Sequence, residues 1–307
     1  AVEVSSHCPD YLPSDFSAVT VAASRDTIVF IDHSQKNHIY FYTNRFSGDQ
    51  VVQSAFSRWI LNPTTEVLGS SFFNDSLYLV TQHQDGSDNK MLFLEKILFT
   101  DEAYTLPRID HRHLFTINET NTSYDAGVHT TTFTLPYKDP AIDEVIFQDG
   151  WEDDQYLRQT ITSVTVDTAT NSTAVVIQGD YSTDLTKTIY FGRKFTMNIE
   201  LSPQFYRDDE NNVINGVLGL RTMSSRHFNT GNYAISVNRR GRSGVTTTFD
   251  VNEVGPHGLT LGTRQLYEEQ GELTSKLFGY ASESQIFITS NSPTPCNITN
   301  LEIRAVF

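Results

Sequence analysis

The chain has 307 residues, of which 38% are apolar and 12% aromatic, a composition that supports a packed core and argues against wholesale disorder. Its 22 basic and 37 acidic residues give a net charge of −15, which excludes a module that grips nucleic acid by neutralising phosphates. An acidic wall beside DNA is a different case, because like charges keep the duplex from sticking. The commoner explanation for such acidity is solubility.

The apolar runs are short, and none approaches the roughly 20 residues that a membrane-spanning helix needs. The chain starts at Ala1 without a basic region and an apolar stretch behind it, so we expect a fragment or a processed chain rather than a signal peptide. Cys8 and Cys296 are the two cysteines. Two lone thiols favour assembly in a reducing cytoplasm, and one long-range disulfide is the alternative.

Runs rich in Val, Ile, Phe, Tyr and Thr alternate with turn clusters of Asn, Asp, Gly and Ser along the whole chain. They predict strands at residues 27–31, 38–43, 51–61, 76–81, 91–98, 128–137, 159–166, 195–201, 216–222, 233–237, 245–251, 285–289 and 301–307. The best candidate for a helical turn is 266–273, and Gly271 weakens it. The pattern predicts an all-β fold with few or no helices.

Shifts in composition predict three segments. Residues 1–110 contain aromatic-rich strands that recur at uneven intervals, as in propeller-like blades. Residues 111–191 are rich in Thr and Asn and alternate Thr with apolar residues, as in half-exposed strands. Residues 192–307 contain the strands of a further compact β-domain. The expected architecture is propeller-like blades followed by additional β-sandwich-like units.

No pattern of catalytic or cofactor-binding residues stands out. The chain has no phosphate-binding glycine loop, no cysteine or histidine pairs with zinc spacing and no nucleophile elbow. His111 and His113 fall on one face of a predicted strand, and we interpret them as a surface pair rather than as metal ligands. We therefore expect no catalytic residue, no metal and no cofactor.

Two acidic loops require closer attention, because paired carboxylates can cleave a glycoside. One contains Glu152, Asp153 and Asp154, and the other contains Asp208, Asp209 and Glu210. Glu268-Glu269 is a further pair. Neighbouring acids in a polar loop usually point to solvent and repel one another, which favours a non-catalytic interpretation.

Basic residues cluster once, at Arg239, Arg240 and Arg242. The cluster follows a predicted strand, so it has the position of a turn. In so acidic a chain, a basic turn is a candidate contact to another subunit or to phosphate. A turn with solvated arginines is the alternative.

Several short stretches carry a family resemblance. They are Val2-Glu3-Val4-Ser5-Ser6-His7-Cys8-Pro9-Asp10-Tyr11-Leu12-Pro13, Val52-Gln53-Ser54-Ala55-Phe56-Ser57-Arg58-Trp59, Val67-Leu68-Gly69-Ser70-Ser71-Phe72-Phe73, Leu77-Tyr78-Leu79-Val80, Leu94-Glu95-Lys96, Tyr124-Asp125-Ala126-Gly127, Thr131-Thr132-Phe133-Thr134-Leu135-Pro136-Tyr137, Gly192-Arg193-Lys194-Phe195, Glu200-Leu201-Ser202-Pro203 and Gly219-Leu220-Arg221. In this order they resemble tail tubular protein B, the nozzle protein of short-tailed bacteriophages. Cys8 replaces a usual aliphatic residue, and Phe56 replaces a usual Trp. Since family members are longer at the N-terminus, the resemblance is to their C-terminal part.

The resemblance implies a structural virion protein and not an enzyme. It implies a hexameric tube at the distal end of the tail, docked on the ring-shaped adapter protein and close to the tail fibre protein. Such a tube is assembled in the host cytoplasm, is closed before infection, and opens to let double-stranded DNA pass. None of the family's functional residues transfers individually; Trp59 and the strands 67–73 and 77–80 are expected to be packing elements.

The two acidic loops are our candidates for lumen or gate loops, on charge alone. Two alternatives come from other functional classes. One is a tail enzyme that cleaves surface polysaccharide, which needs two acids at glycosidase separation in a cleft. The other is an adhesin that binds a host glycan through exposed aromatic residues.

Overall fold

The structure, a computed structural model, describes residues 12, 17, 19–24, 26–84, 90–98, 106–147, 158–202, 204–205, 217–251 and 267–306. Within these residues the regular elements are strands, arranged in six antiparallel sheets, apart from short 3-10 turns such as Ala281–Glu283. The prediction of an all-β fold with few or no helices is confirmed. None of the described segments is a helix that could span a bilayer. The chain divides into two compact units, Ala1–Glu102 and Ala103–Phe307.

The described residues of the first unit form seven strands in two meanders. They are β1 (Val19–Ala23), β2 (Thr27–Asp32), β3 (His38–Ser47), β4 (Gln50–Ile60), β5 (Thr65–Phe73), β6 (Ser76–Gln84) and β7 (Lys90–Leu98). β1 to β4 form one sheet in chain order, and β5 to β7 form the other. Consecutive strands pair because tight turns join them; the turn between β5 and β6 has Asn74 and Asp75 in the left-handed region that such hairpins require.

The core of the first unit forms where alternate residues of the two sheets face each other. Ile31, Ile39 and Leu77 are fully buried members of it. The outer residues of the same strands face solvent, as a period of two demands. The described strands of this unit form one four-stranded and one three-stranded sheet, which is not a closed ring of blades.

The second unit begins with two four-stranded sheets that share one core. Their strands are β8 (Asp110–Thr116), β9 (Thr122–Asp125), β10 (Thr130–Leu135), β11 (Glu144–Phe147), β12 (Arg158–Gln159), β13 (Ile161–Asp167), β14 (Ser172–Gln178) and β15 (Thr188–Arg193). One sheet has the order β13-β14-β10-β9 and the other β12-β11-β15-β8. Between them the ring of Phe115 meets those of Phe133 and Phe191 edge to face, at ring-centre distances of 5.7 and 5.5 Å. The rings of Phe133 and Phe191 are tilted to each other at 5.7 Å.

The remaining strands form a second pair of sheets around a separate core. They are β16 (Met197–Glu200), β17 (Gly219–Thr230), β18 (Asn232–Arg239), β19 (Arg242–Asp250), β20 (Glu268–Tyr280), β21 (Ser284–Ser290) and β22 (Ile298–Val306). One sheet has the order β16-β21-β18-β19 and the other β20-β17-β22. Tyr233, Ile235 and Leu277 are fully buried between them.

Two local predictions are wrong. The suggested helical turn at 266–273 lies, from residue 268 onward, in strand β20, where Leu273 and Leu277 alternate into the core. Trp59 is 38% exposed rather than a buried anchor, because it lies on the edge strand β4, where its ring packs against Phe41. Strand β15 crosses the suggested boundary at residue 191, and the division at residues 110 and 191 stays a prediction.

Candidate functional site

The arginine cluster forms the two-residue turn between β18 and β19. Arg239 and Arg242 are directly paired across the hairpin, and Arg240 and Gly241 make the turn between them. Gly241 has a φ of +70°, a left-handed conformation that glycine adopts without the penalty of a Cβ. The structure therefore brings the three predicted arginines together at one end of the hairpin.

The three arginines of the turn differ in their hydrogen-bond contacts. Arg239 is half-buried and donates hydrogen bonds from Nη1 to the carbonyl of Phe278 (3.2 Å) and from Nη2 to the carbonyl of Ser243 (2.8 Å). The backbone N–H of Arg240 donates to the carbonyl of Glu283 at 3.0 Å. Arg239 is thus a positioning residue that fastens the turn to the end of β20.

Arg240 and Arg242 are exposed, and neither side chain makes an ion pair within the described part of the chain. Elsewhere on the same pair of sheets, Arg226 is exposed and pairs with Glu272 at 3.3 Å. Two guanidinium groups on a fixed turn can bind carboxylate or phosphate oxygens through several N–H donors each.

Sequence reasoning did not find the residues beside this turn. Phe278 and Tyr280, at the end of β20, are 48% and 53% exposed. Gly279 lies between them, and a Cβ there would come within 2.6 Å of Ser284 Oγ, so the end of β20 packs closely on the start of β21. The alternation of Leu273, Ser275 and Leu277 was the available indication that this segment is a strand.

The six acidic candidates lie outside the described residues. Glu152, Asp153 and Asp154 fall in the gap between 147 and 158, and Asp208, Asp209 and Glu210 in the gap between 205 and 217. Their assignment as lumen or gate loops stays a prediction.

The histidines of β8 are not a surface pair. The side chain of His111 is 9% exposed, and its Nδ1 lies 3.9 Å from Oδ2 of Asp139. His113 packs edge-on against the ring of Tyr137 at 4.9 Å, and burial lowers its pKa. Burial and the nearby Asp139 carboxylate raise the pKa of Tyr137, which keeps the phenol neutral. The side chain of His111 is therefore largely buried, and His113 and Tyr137 are half-buried.

Two ion pairs, one buried and one with an exposed arginine, stabilise the same region. Arg193 Nη2 donates to Oδ1 of Asp139 at 2.5 Å, and Arg158 binds both carboxylate oxygens of Glu144, whose side chain is 1% exposed. Within the described residues these pairs connect strands and do not line a deep cleft. A shallow recess of about 380 Å³ lies beside Glu144, Arg158 and Lys194.

The described strands form antiparallel sheets, with the basic turn at the end of the β18-β19 hairpin. The sequence model of the bacteriophage nozzle protein family matches the chain over residues 1–307. The chain belongs to this family. It is therefore a structural component of a bacteriophage tail, as the resemblance implied. No curated protein is significantly similar to this nozzle-family chain in sequence.

Solved structures give only remote likenesses to this nozzle-family chain. The exo-β-1,3-galactanase of Phanerochaete chrysosporium with galactose is 11% identical, with 93% of this chain and 68% of that chain covered and a TM-score of 0.19. The cycloalternan-forming enzyme of Listeria monocytogenes is 10% identical, with 91% and 30% covered and a TM-score of 0.18. TM-scores this low establish neither a shared fold nor an activity.

Proposed function

We propose that this protein is one subunit of a hexameric ring that forms the distal nozzle of the tail and conducts double-stranded DNA during ejection. The membership of the whole chain in the nozzle family carries this proposal. The ring docks below the adapter ring and close to the tail fibre protein, and it assembles in the host cytoplasm before it becomes part of the virion.

The physical properties of the chain suit a conduit. Antiparallel sheets paired around separate cores are stiff, since each strand is fixed by a ladder of hydrogen bonds and by packing of its inner face. A net charge of −15 keeps the wall from binding the phosphate backbone, because both carry the same sign. DNA that does not adhere to the wall can pass at high speed.

The two meander sheets of the first unit are proposed as propeller-like blades. Each is a run of consecutive antiparallel strands, and the two pack face to face through residues such as Val29, Val67 and Leu79. This is the way in which neighbouring blades of a propeller bury their faces.

The gate is proposed to consist of loops that project into the channel from each subunit, with Glu152 to Asp154 and Asp208 to Glu210 as the candidates. Six-fold symmetry repeats each contact six times, so short loops can hold the channel closed and still open. Reversing the charge of either loop to lysine is expected to change the rate or the trigger of DNA release. Normal ejection from particles that carry both reversals would remove these loops as the gate.

Electron microscopy of the tail of intact particles tests the proposal as a whole. A six-fold ring of this chain with a continuous axial channel at the distal tip is the expected result. Density for this chain on peripheral fibres, or as single compact copies, would overturn the conduit and make a turnover assay on surface glycans the next experiment.

A further inference from the structure

We infer that the end of the second unit formed by the Arg240–Arg242 turn, Phe278, Tyr280 and Val306 is the surface through which one copy of this chain docks on an acidic face of a second copy. This inference rests on the proposed ring, and it names the contact that closes the ring. These residues are called the docking end below.

Apolar side chains flank the basic turn. Gly219 in β17 pairs with Tyr280 of β20 on one side and with Val306 of β22 on the other. Directly opposite residues of antiparallel strands point to the same face of a sheet. Tyr280 and Val306 are 53% and 52% exposed, and the glycine between them leaves a notch. An aromatic residue, an aliphatic residue and arginines are the composition of the energetically important centre of protein interfaces.

At this end, the exposed Phe278 has an energetically unfavourable backbone conformation. Phe278 has a φ of +39°, in the left-handed region that bulky residues rarely adopt. The strand pairing shifts register beside it, between Leu220 and Thr222. Backbone strain of this kind costs about 1–3 kcal/mol and persists where the structure around it holds it in place, often at functional sites. An exposed aromatic ring presented by strained backbone indicates a binding surface.

The charges of the docking end determine which partner surface it binds. Arg240 and Arg242 are exposed and, among the described residues, unpaired with any carboxylate; the turn uses the carbonyl of Glu283. The chain carries 37 acidic against 22 basic residues, so a second copy presents mostly carboxylates to an approaching surface. The basic turn relieves the repulsion that two such acidic copies would otherwise feel, and its placement fixes which face meets which. A heterologous contact of this kind repeats around an axis and closes into a ring.

Ion-paired cations away from the docking end offer a contrast. Arg226 pairs with Glu272 at 3.3 Å further along the solvent-facing side of the β20-β17-β22 sheet, and Lys36 of the first unit pairs with Glu66 at 2.8 Å; both cations are exposed to solvent. Paired charges of both signs are typical of a solvated surface, and such pairs contribute little energy. Arg226 and Lys36 supply a matched control, because reversing both changes the net charge by the same amount as reversing Arg240 and Arg242.

The test measures self-association of the purified full chain by sedimentation velocity and mass photometry, at about 50 and about 500 mM salt, which bracket strong and weak screening. The double variant Arg240→Glu/Arg242→Glu is expected to weaken association about tenfold or more at low salt, and added salt is expected to weaken the wild type. The control Arg226→Glu/Lys36→Glu is expected to associate like the wild type. Equal effects of the two double variants, or a wild type that stays monomeric, would overturn the inference.

A second variant separates binding from folding. Phe278→Gly removes the exposed ring and relieves the left-handed strain, so the midpoint of urea unfolding is expected to stay the same or to rise while association weakens about threefold or more. Unchanged association would count against the docking end. A merely structural role would lower the midpoint instead.

A photo-crosslinking amino acid at position 280 identifies the partner. Crosslinks to peptides of a second copy are expected; crosslinks to duplex DNA in place of protein would overturn the inference in favour of a phosphate contact. Different results would overturn the docking contact and the proposed function. A ring at the tail tip with unchanged association of the double variant removes this contact and leaves the conduit standing, whereas a tail without the ring removes the conduit.

Discussion

Arg193 donates a hydrogen bond of 2.5 Å to Asp139 within the first pair of sheets of the second unit, where the two side chains are 7% and 1% exposed. Asp139 also accepts a hydrogen bond from the backbone N–H of Ala141, and the N–H of Asp139 donates to Thr173 Oγ1. The ion pair therefore connects the end of β15 to the chain between β10 and β11. Removing only one partner of such a buried ion pair lowers the free energy of unfolding, because the other charge stays buried.

Removing one partner of this pair is expected to destabilise the protein strongly. Arg193→Leu leaves the Asp139 carboxylate buried and uncompensated, and we expect a loss of roughly 3–5 kcal/mol in the free energy of unfolding, measured in urea. The control Arg304→Leu removes an exposed pair with Glu302 and is expected to cost about 0–1 kcal/mol. Similar losses for both variants would contradict the buried character of the Arg193 pair.

Gly192 is expected to tolerate no side chain. A Cβ there would lie 2.6 Å from the carbonyl oxygen of Asp110 and 2.8 Å from Ile109 Cδ1. Backbone cannot yield as a flexible side chain does, so Gly192→Ala should cost about 1–3 kcal/mol by overpacking. Gly69→Ala is the matched change, since nothing lies within 4 Å of its Cβ position. Thermal unfolding should show Gly69→Ala to be neutral or slightly stabilising, and an equal loss for both would refute the argument.

Removing the side chain of Phe133 from the core of the first pair of sheets in the second unit should be costly. Phe133 is fully buried and contacts the rings of Phe115 and Phe191. Phe133→Ala is expected to lower the free energy of unfolding by about 3–5 kcal/mol, because it removes buried surface and leaves a cavity. Phe73→Ala, at a residue 65% exposed, should change it by less than about 0.5 kcal/mol. Urea denaturation of both variants measures the difference.

Cys296 should be unreactive in the folded protein. Burial raises the pKa of its thiol from 9.0 to about 11, so at pH 8 the thiolate fraction falls about a hundredfold. In a Cys8→Ser background, alkylation of native protein at pH 8 is expected to be slower than in urea by at least that factor. Equal rates would show that the thiol is exposed.

The same burial makes the stability depend on alkaline pH. The folded-state pKa of Cys296 lies above the value of 9.0, and burial raises that of Tyr233 to about 12. For groups with a raised pKa, the stability is fully present below the unfolded value and is lost as the pH rises through the folded value. The free energy of unfolding should therefore decline between about pH 9 and pH 12, and Cys296→Ala should remove the earlier part of that decline.

Much of the architecture follows from local pattern. Apolar and polar residues alternate around Phe133 and Ile235. Such alternation indicates a strand with one buried face, whatever the position of the strand in its sheet. Turn residues such as Asn74 and Gly241 supply the left-handed conformations that join neighbouring strands. The all-β class could for this reason be inferred from the sequence, whereas the family followed from the short stretches that resemble the nozzle protein, such as residues 52–59 and 131–137.

Only the tertiary structure decided what depends on contacts between distant segments. Arg193 and Asp139 are 54 residues apart, and no local pattern predicts that the fold brings them into one interior. The sequence does not distinguish the three arginines of the turn. In the structure Arg239 donates a hydrogen bond to the carbonyl of Phe278, whereas Arg240 and Arg242 are exposed. Trp59 is exposed because its strand lies at the edge of a sheet. Sheet order and edge position arise from packing among strands, and this is why the sequence alone determined the strands but not the site.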